Sequence, residues 1–279
     1  MKLRELELEL KVELDAAGFA DPGFETRQLL SNLMNISSGE LLRREHQTVD
    51  DELQKKARHW AAERIRGMPL AYLAGKKGFY KYEFFVEPGV LVPRPETEHV
   101  IEVAINRVGE QKLQVNNLID LGCGSGILAI SLAQEFRGAH VYAVDASVPA
   151  IKLTERNAEK LGVRVTAKLT RVEDFAPSAR FELVVANPPY IAHGDANVQE
   201  SVHAFEPHAA LYALDQGLAA IRAWSQWAYH HMQEGGVLVM EIGTGQSGLV
   251  GSIMSGLGFK SVQVAKDLAG HDRVVSAVR

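Results

Sequence analysis

The spacing of apolar residues divides the chain into a helical first part and a mixed second part. Up to about residue 75, apolar positions recur at intervals of three and four, which predicts short amphipathic helices. Two sets of residues have this spacing: Leu3, Leu6, Leu10 and Leu14, and then Leu53, Ala57, Trp60 and Ala61. Turn-forming residues at 21–23 and 37–39 interrupt the pattern. We therefore predict a small helical N-terminal domain over residues 1–75.

Residues 76–94 have a different composition. Aromatic and β-branched residues dominate 78–92, and a Pro-Gly pair occupies 88–89. Such a segment predicts a short β-hairpin or an extended connector between two domains.

From residue 95 onward, strand patterns alternate with helix patterns, and we predict one domain over 95–279. Strands are expected at 115–121, 141–144, 163–169, 183–186, 237–241, 259–264 and 274–278. Helices are expected at 127–136, 148–161, 218–233 and 248–257. This alternation indicates an α/β fold with a mainly parallel sheet and helices on both faces. Only a loop separates the last two strands, too short for a parallel crossover, so they should pair antiparallel.

Composition narrows the class of protein. The 279 residues are 46% hydrophobic and 23% charged, as in ordinary globular proteins. The net charge of −5 argues against broad duplex-DNA binding, which depends on Lys and Arg. A single cysteine excludes a disulfide framework and fits a reducing compartment. The charged first helix is unlike a signal peptide, and no apolar stretch approaches a membrane span, so we expect a cytoplasmic protein without a membrane partner.

A glycine-rich loop follows the first strand of the predicted sheet. It consists of Gly122, Cys123, Gly124, Ser125 and Gly126, and a helix with an apolar face begins at once. Glycines let the backbone approach a ligand, and the helix N-terminus offers unpaired N–H groups. A dinucleotide-binding loop would have glycine where Ile127 stands. The observed G-x-G-x-G spacing is instead associated with S-adenosylmethionine (AdoMet).

Asp145 ends the second predicted strand of the sheet. It lies roughly 20–25 residues beyond the glycine loop, where a ribose-binding carboxylate occurs in such folds. The alternative is that Asp145 caps the helix that starts near residue 148.

The tetrapeptide Asn187-Pro188-Pro189-Tyr190 follows an apolar strand at 181–186. Proline lacks a backbone N–H, so the two prolines present only carbonyl acceptors. The Asn187 side chain adds an acceptor oxygen, and Tyr190 adds a flat aromatic face. Together they suit a planar amino group, either an amide or a nucleobase. The alternative is a proline-rich turn after a core strand.

Several segments in combination resemble the release-factor glutamine methyltransferase family. They are Pro-Arg-Pro-Glu-Thr-Glu at 93–98, the loop Asp120–Gly126, Asp145, Asn-Pro-Pro-Tyr-Ile at 187–191, Phe-Glu-Pro at 205–207, Glu-Ile-Gly at 241–243, and Gly-His-Asp-Arg-Val-Val at 270–275. Asn-Pro-Pro-Tyr alone is shared with adenine-N6 DNA methyltransferases and RNA enzymes. The combination with the 93–98 segment and a small helical domain is more specific.

The resemblance implies a Rossmann-like class I AdoMet-dependent methyltransferase sheet. It also implies transfer of a methyl group to the side-chain amide nitrogen (N5) of the glutamine in the Gly-Gly-Gln motif of peptide-chain release factors, with S-adenosylhomocysteine as the product. The N-terminal domain would then be a docking surface for this protein substrate. We expect a monomer without direct nucleic-acid binding.

The family pattern also implies cofactor contacts. Gly122–Gly126 would wrap the methionine and ribose parts of AdoMet, and Asp145 would hold the ribose hydroxyls. Asp174 and Phe175 follow the third strand, where the family places an acceptor and an aromatic face against adenine. Phe175 could equally be an ordinary core residue.

The resemblance implies that Asn187 lies between cofactor and substrate and also binds the cofactor. For the substrate, Asn187 and the Pro188 carbonyl would accept the two amide hydrogens while Tyr190 packs on the amide plane. No strong base is required, so we expect no catalytic histidine. The histidines 203, 208, 230, 231 and 271 have no cysteine partner, so we expect no metal site. Glu241 could shape the pocket or be a buried structural acid. Arg94 and Glu96 could organise the connector or form an ion pair at a domain hinge.

Two other functions remain open on the sequence. A nucleic-acid amino methyltransferase could use the same tetrapeptide on adenine or cytosine, although the acidic balance does not favour it. A non-catalytic AdoMet-binding protein would be expected to carry damage in the glycine loop or the tetrapeptide, and both are intact.

Overall fold

A computed structural model describes residues 1–195 and 199–279 of the chain. These residues form two compact units. The first contains Met1–Gly75 and Gln199–Phe205, and the second contains the remainder of the described chain.

The helices are α1 Leu3–Ala16, α2 Pro22–Met34, α3 Ser38–Arg43, α4 Asp51–Ile65, α5 Leu70–Ala74, α6 Glu98–Glu110, α7 Ile127–Glu135, α8 Val148–Lys160, α9 Glu200–Phe205, α10 His208–Leu211, α11 Ala219–His231 and α12 Ser247–Leu257. The strands are β1 Lys76–Phe79, β2 Tyr82–Phe85, β3 Asn117–Leu121, β4 His140–Asp145, β5 Val165–Leu169, β6 Phe181–Ala186, β7 Ile191–Ala192, β8 Tyr212–Ala213, β9 Met232–Glu241, β10 Lys260–Lys266 and β11 Asp272–Val278.

The first unit is helical, as the apolar spacing predicts. All four leucines of the α1 pattern are fully buried, and Leu3, Leu6 and Leu10 pack with apolar residues of α2 and α4. The two segments that were predicted as turns, 21–23 and 37–39, contain the starts of α2 and α3. Asp21 accepts a hydrogen bond from the Phe24 N–H at 2.8 Å, and Ser37 accepts one from the Glu40 N–H at 3.2 Å. Side-chain acceptors of this kind satisfy N–H groups that a helix leaves unpaired, so these residues begin α2 and α3.

A hairpin opens the second unit. Strands β1 and β2 pair antiparallel, with Phe79 opposite Tyr82. The Pro88-Gly89 pair follows the hairpin and does not form its turn.

The main sheet has seven strands in the order β10-β11-β9-β6-β3-β4-β5. Strands β9, β6, β3, β4 and β5 are parallel, and β11 runs antiparallel between β9 and β10. Apolar residues of α6, α7 and α8 belong to one buried cluster, and those of α11 and α12 to a second. Every residue of β6 is buried, as expected for a strand covered on both faces. The predicted parallel sheet with an antiparallel C-terminal hairpin is confirmed.

One element boundary differs by several residues from the prediction. Helix α11 ends at His231, and β9 already begins at Met232, five residues before the predicted start. The early start reflects partners far away in sequence. Met232 pairs with Phe181, and Gly235 and Gly236 exchange backbone hydrogen bonds with Arg279 at 3.0 Å.

No helix in residues 1–195 or 199–279 is long and apolar enough to cross a lipid bilayer. The parallel sheet brings the carboxyl ends of β3, β4 and β6 to one edge, where α/β proteins bind ligands. The glycine loop directly follows β3, Asp145 is the last residue of β4, and the Asn187 tetrapeptide directly follows β6.

Candidate active site

A cavity of about 550 Å³ opens at this edge of the sheet. Of the residues predicted for the site, seven line it: Gly122, Cys123, Gly124, Ser125, Asp145, Asn187 and Pro189. The structure thus brings together the glycine loop, the acidic end of β4 and the start of the tetrapeptide.

The glycine loop turns sharply because three of its residues have left-handed backbone conformations. The φ angles of Gly122, Gly124 and Gly126 are 71°, 54° and 80°. Residues other than glycine rarely adopt such values. The N–H groups of Gly122 and Cys123 both donate to the Val144 carbonyl, at 2.8 and 3.0 Å. These bonds tie the loop to the end of β4, and Gly126 then begins α7.

Asp120, the next-to-last residue of β3, lies on the cavity wall and is 1% exposed. One carboxyl oxygen, Oδ2, accepts a hydrogen bond from the Ala129 N–H at 3.1 Å, and Oδ1 has no partner. The pKa of Asp120 is raised to about 7, mainly by burial. The nearby charge of Asp145 also raises the pKa, and the hydrogen bond from Ala129 lowers it. The sequence pattern assigns no role to Asp120 beyond its place in the matching loop, although an acid inside an apolar strand just before the glycines was a usable signal.

Asp145 joins β4 to the glycine loop. Its Oδ2 accepts from the Gly124 N–H at 3.0 Å, and its Oδ1 accepts from the Ser147 N–H at 2.8 Å. Burial raises the pKa of Asp145, and these hydrogen bonds partly oppose the rise. Ser147 is the cap of α8, since its hydroxyl accepts from the Ala150 N–H. The alternative interpretation of Asp145 as the helix cap is therefore wrong.

The tetrapeptide presents its residues in different directions. Asn187 and Pro189 line the cavity, and the Asn187 amide nitrogen donates to the Thr97 hydroxyl at 3.1 Å. The Tyr190 hydroxyl instead donates to Oε1 of Glu241 at 2.9 Å. Burial raises the pKa of Tyr190, and the neighbouring Glu241 carboxyl adds to the rise. Neither Pro188 nor Tyr190 is among the cavity-lining residues.

Asp174 and Phe175 lie outside the cavity lining. The Asp174 side chain is 68% exposed and faces Arg171. The Phe175 ring stacks on Trp227 with centroids 6.0 Å apart, and its carbonyl accepts from the Trp227 indole N–H at 2.8 Å. Phe175 is thus packed against the core, the second of the two sequence interpretations. Arg171, Val172 and Glu173, which precede Asp174 in the chain, line the cavity instead.

Cys123 is buried, with its sulfur 3.4 Å from the Thr154 hydroxyl. Burial raises the pKa of its thiol well above the ordinary value, and the acids Asp120 and Asp145 add to the effect. Since the reactive form of cysteine is the thiolate, this residue is a small packing residue and not a nucleophile. Within the described part of the chain, no cluster of three His, Cys, Asp or Glu side chains could hold a metal ion.

Two further residues at or near the cavity have no role assigned from the sequence. Trp224, on α11, lies so close to the loop that a Cβ on Gly122 would be 2.4 Å from its ring. Glu206 accepts hydrogen bonds from the Val92 N–H at 3.0 Å and from the Arg94 guanidinium. Glu206 is buried, so this pair fixes the segment that leads from the hairpin past the cavity.

Comparison with known proteins places this geometry in a family. Residues 6–75 match a family model described as PrmC N-terminal domain, and residues 102–235 match one described as Methyltransferase small domain. The release factor glutamine methyltransferase of Neisseria gonorrhoeae is 38% identical over 255 residues, which are 91% of this chain and 92% of that protein. The chain belongs to the release factor glutamine methyltransferase family. The resemblance seen in the sequence is confirmed.

Another family member, from Vibrio cholerae, is 33% identical over 94% of this chain and 91% of its own. Among solved structures, a ribosomal RNA guanine-N2 methyltransferase of T. Thermophilus in complex with AdoMet and guanosine aligns with a TM-score of 0.53. The two sequences are 21% identical, and the alignment covers 73% of this chain and 49% of the other chain. A methyltransferase from Pyrococcus furiosus has a TM-score of 0.50 at 15% identity, covering 70% of this chain and 87% of its own. These likenesses confirm the predicted class I AdoMet-dependent methyltransferase fold of this family member.

Proposed function

We propose that this protein transfers the methyl group of AdoMet to the side-chain amide nitrogen of the glutamine in the Gly-Gly-Gln motif of peptide-chain release factors. Family membership over nearly the whole chain supports the proposal. The position of Asn187 is the observation that carries the proposal. This residue lines the cavity beside the glycine loop, and its donating nitrogen is already occupied by Thr97. The side-chain oxygen thus remains available to accept a hydrogen bond from a planar –NH2 group.

The cavity residues fit AdoMet. A positively charged amino group on the ligand suits Asp120, whose Oδ1 is buried without a partner. A carboxylate has about four lone-pair sites, so Asp145 can accept from ribose hydroxyls in addition to its two backbone bonds. The glycines of the loop carry no side chain, so a ligand can approach the loop backbone closely. When bound, AdoMet supplies an electrophilic methyl group attached to a positively charged sulfur.

The protein's task is to make an amide nitrogen reactive. The amide lone pair is delocalised, and the rotation barrier of ~18–20 kcal/mol indicates how strongly. In our proposal Asn187 Oδ1 accepts one hydrogen of the –NH2 group and the Pro188 carbonyl accepts the other. Two fixed acceptors increase electron density on nitrogen and favour its pyramidal form. Holding the nitrogen in line with the methyl group can contribute roughly 7–11 kcal/mol.

Proton removal needs no dedicated base. Once the nitrogen carries the methyl group it is strongly acidic, and its proton can pass to an acceptor or to water. The residues around the cavity therefore act by binding, orientation and exclusion of water.

The test is intact mass spectrometry of a purified bacterial release factor after incubation with this protein and AdoMet. We expect one added methyl group, located on the Gly-Gly-Gln glutamine by peptide fragmentation. A release factor with Glu in place of that Gln is the control and should gain nothing. Methylation at another residue, or none despite measured S-adenosylhomocysteine binding, would contradict the proposal.

An Asn187→Ala variant tests the role of the side chain. It should bind S-adenosylhomocysteine with nearly unchanged affinity, because the loop and both acids remain. Its kcat should fall on the order of 10²-fold, the typical cost of losing one fixed hydrogen-bonding group in an active site. Wild-type turnover by this variant would rule out the proposed acceptor.

A further inference from the structure

Helix α8 holds the glycine loop through two buried polar side chains. Thr154 and Asn157 lie one helical turn apart, so they are on the same face of α8, and both are 0% exposed. The Thr154 hydroxyl donates to the Gly124 carbonyl at 3.1 Å, and the Asn157 side-chain nitrogen donates to the Ser125 carbonyl at 2.9 Å. Two consecutive carbonyl groups of the loop are therefore fixed by one helix.

The direction of the Thr154 hydrogen bond follows from its partners. A carbonyl oxygen can only accept, so the single hydrogen of the hydroxyl is directed to Gly124. The Thr154 oxygen then accepts from the Cys123 thiol, whose sulfur lies 3.4 Å away. The thiol keeps its hydrogen, because burial raises its pKa well above the ordinary value. The contacts form a chain from the Cys123 thiol through Thr154 to the Gly124 carbonyl.

The loop needs a constraint of this kind. Gly124 and Gly126 flank Ser125 with φ angles of 54° and 80°, and glycine leaves the backbone more conformational freedom than any other residue. Without a hydrogen-bond donor, the Gly124 carbonyl would be free to rotate against little steric resistance. The Thr154 hydroxyl opposes this rotation, because a fully buried hydroxyl that loses its acceptor is not compensated by water.

The orientation of the Gly124 carbonyl determines where the next N–H group points. The peptide bond between Gly124 and Ser125 is trans, so the carbonyl oxygen and the Ser125 N–H point in opposite directions. Gly124 and Ser125 line the cavity, and Thr154 is not among the lining residues. With its carbonyl directed to Thr154, this peptide presents the Ser125 N–H on the side of the loop away from α8.

We propose that Thr154 is a positioning residue for cofactor binding. It fixes the peptide between Gly124 and Ser125 so that the Ser125 N–H is available to an acceptor atom of AdoMet, and Asn157 fixes the peptide that follows. This inference rests on the proposed function, because it takes the cavity as the AdoMet site. Neither side chain touches the reacting atoms.

Two substitutions of Thr154 separate hydrogen bonding from packing. Thr154→Val keeps the shape of the side chain and removes the hydroxyl, whereas Thr154→Ser keeps the hydroxyl and removes the methyl group that lies beside Gly126. We expect Thr154→Val to weaken S-adenosylhomocysteine binding roughly three- to tenfold in calorimetry, the usual range for one hydrogen bond. Thr154→Ser should bind nearly as tightly as wild type, whereas a pure packing role predicts the reverse order. Unchanged affinity in Thr154→Val, or binding by Thr154→Ser that is no tighter than by Thr154→Val, would overturn the inference.

Thr26→Val is the matched control for a loss of stability. Thr26 is also 0% exposed, and its hydroxyl also donates to a backbone carbonyl, that of Pro22 at 2.7 Å. It lies on α2 in the first unit. The same chemical change there should lower the melting temperature and leave the affinity for S-adenosylhomocysteine unchanged. Equal losses of affinity in Thr26→Val and Thr154→Val would show that affinity only follows stability, and would overturn the inference.

A measurement without ligand tests the hydrogen bond itself. In a protein labelled with ¹³C-carbonyl glycine and ¹⁵N-serine, correlated carbonyl and amide signals come only from Gly-Ser pairs, which occur at 124–125 and 251–252. The 251–252 signal is identified by its loss in Ser252→Ala and serves as the reference. We expect the Gly124 carbonyl signal to shift in Thr154→Val and to return toward its wild-type position in Thr154→Ser. An unchanged Gly124 signal in Thr154→Val would overturn the inference.

The outcomes separate this inference from the proposed function. If the wild-type protein does not bind S-adenosylhomocysteine, the proposed cofactor site is wrong, and the role of Thr154 in cofactor binding is refuted with it. If the wild-type protein binds S-adenosylhomocysteine and does not methylate the release factor, only the proposed substrate is refuted. The Thr154 variants then still decide the inference, because neither calorimetry nor NMR requires the release factor.

Discussion

Replacing Asp120 by Asn should stabilise the protein and weaken its cofactor binding at the same pH. The native carboxyl is buried with only one hydrogen bond, from the Ala129 N–H, and its pKa is raised from 3.8 to about 7. Asn keeps an oxygen for the Ala129 bond and cannot ionise. Ionisation of Asp120 above neutral pH is then a cost that only the wild-type protein bears.

The magnitude follows from the two pKa values. Raising the pKa from 3.8 to about 7 costs the charged native form about 4 kcal/mol, since each pKa unit corresponds to about 1.4 kcal/mol. Between these pH values the native state binds more protons than the unfolded state. The stability that Asp120 contributes is therefore fully present below pH 3.8 and is lost as the pH rises through about 7. Between pH 5 and pH 8, wild type should lose roughly 2 to 3 kcal/mol more of its free energy of unfolding than Asp120→Asn.

The assay is urea unfolding of both proteins at pH 5 and pH 8, with S-adenosylhomocysteine binding measured by calorimetry at pH 8. Other titrating groups are shared, so the difference between the two pH-dependent changes isolates Asp120. We expect the variant to be the more stable protein at pH 8 and to bind S-adenosylhomocysteine more weakly, because the ligand's amino group loses its carboxylate. Parallel pH dependence in the two proteins would refute the pKa argument, and undiminished binding would remove Asp120 from the cofactor site.

Three further substitutions test separate contacts. In Gly217→Ala the new Cβ would lie 2.1 Å from the Tyr190 carbonyl oxygen at a φ of 86°, so activity and melting temperature should both fall. Gly138→Ala, at a φ of 97° with no atom within 4 Å, is the control for backbone strain alone, and equal losses in both would exclude crowding as the cause. Trp224→Ala should weaken S-adenosylhomocysteine binding about tenfold, in line with roughly 0.5–1.5 kcal/mol for an aromatic contact. Trp224→Phe should restore part of the lost affinity. An unchanged calorimetric affinity in Trp224→Ala would show that the ring makes no ligand contact. Asn157→Ala removes the side chain that accepts from the Phe85 N–H at 2.7 Å and donates to the Phe85 and Ser125 carbonyls at 3.1 and 2.9 Å. We expect the free energy of unfolding in urea to fall by several kcal/mol, because buried partners stay unpaired. A fall of less than about 0.5 kcal/mol would contradict this.

The features that the sequence could predict are those with local signals. Alternating strand and helix patterns predict the sheet, and glycine spacing predicts the loop, because each needs only neighbouring residues. The leucine spacing of α1 works for the same reason, since all four predicted core positions are buried.

Contacts between distant segments were not predictable in the same way. Thr97 meets Asn187 across 90 positions of sequence, and Asn157 meets Phe85 across 72. Trp224 has the helical spacing of a core residue, and nothing in α11 marks it as facing a cavity. Phe175 shows the opposite case. An aromatic residue after the third strand fits a ligand contact or the core equally well from the sequence, and its stacking on Trp227 depends on a residue 52 positions away.

The placement of β11 affects how the sheet can assemble. β10 precedes β11 in the chain, yet among the described strands of the sheet it pairs only with β11, which in turn pairs with β9. During folding, β10 therefore cannot join the sheet until the segment after it has been added to the edge of β9. Until then β9 exposes unpaired backbone groups of a largely buried strand, and open edges of this kind promote association between partly folded chains. Substitutions that slow the docking of β11 should therefore lower the yield of soluble protein more than they lower the stability of the folded state.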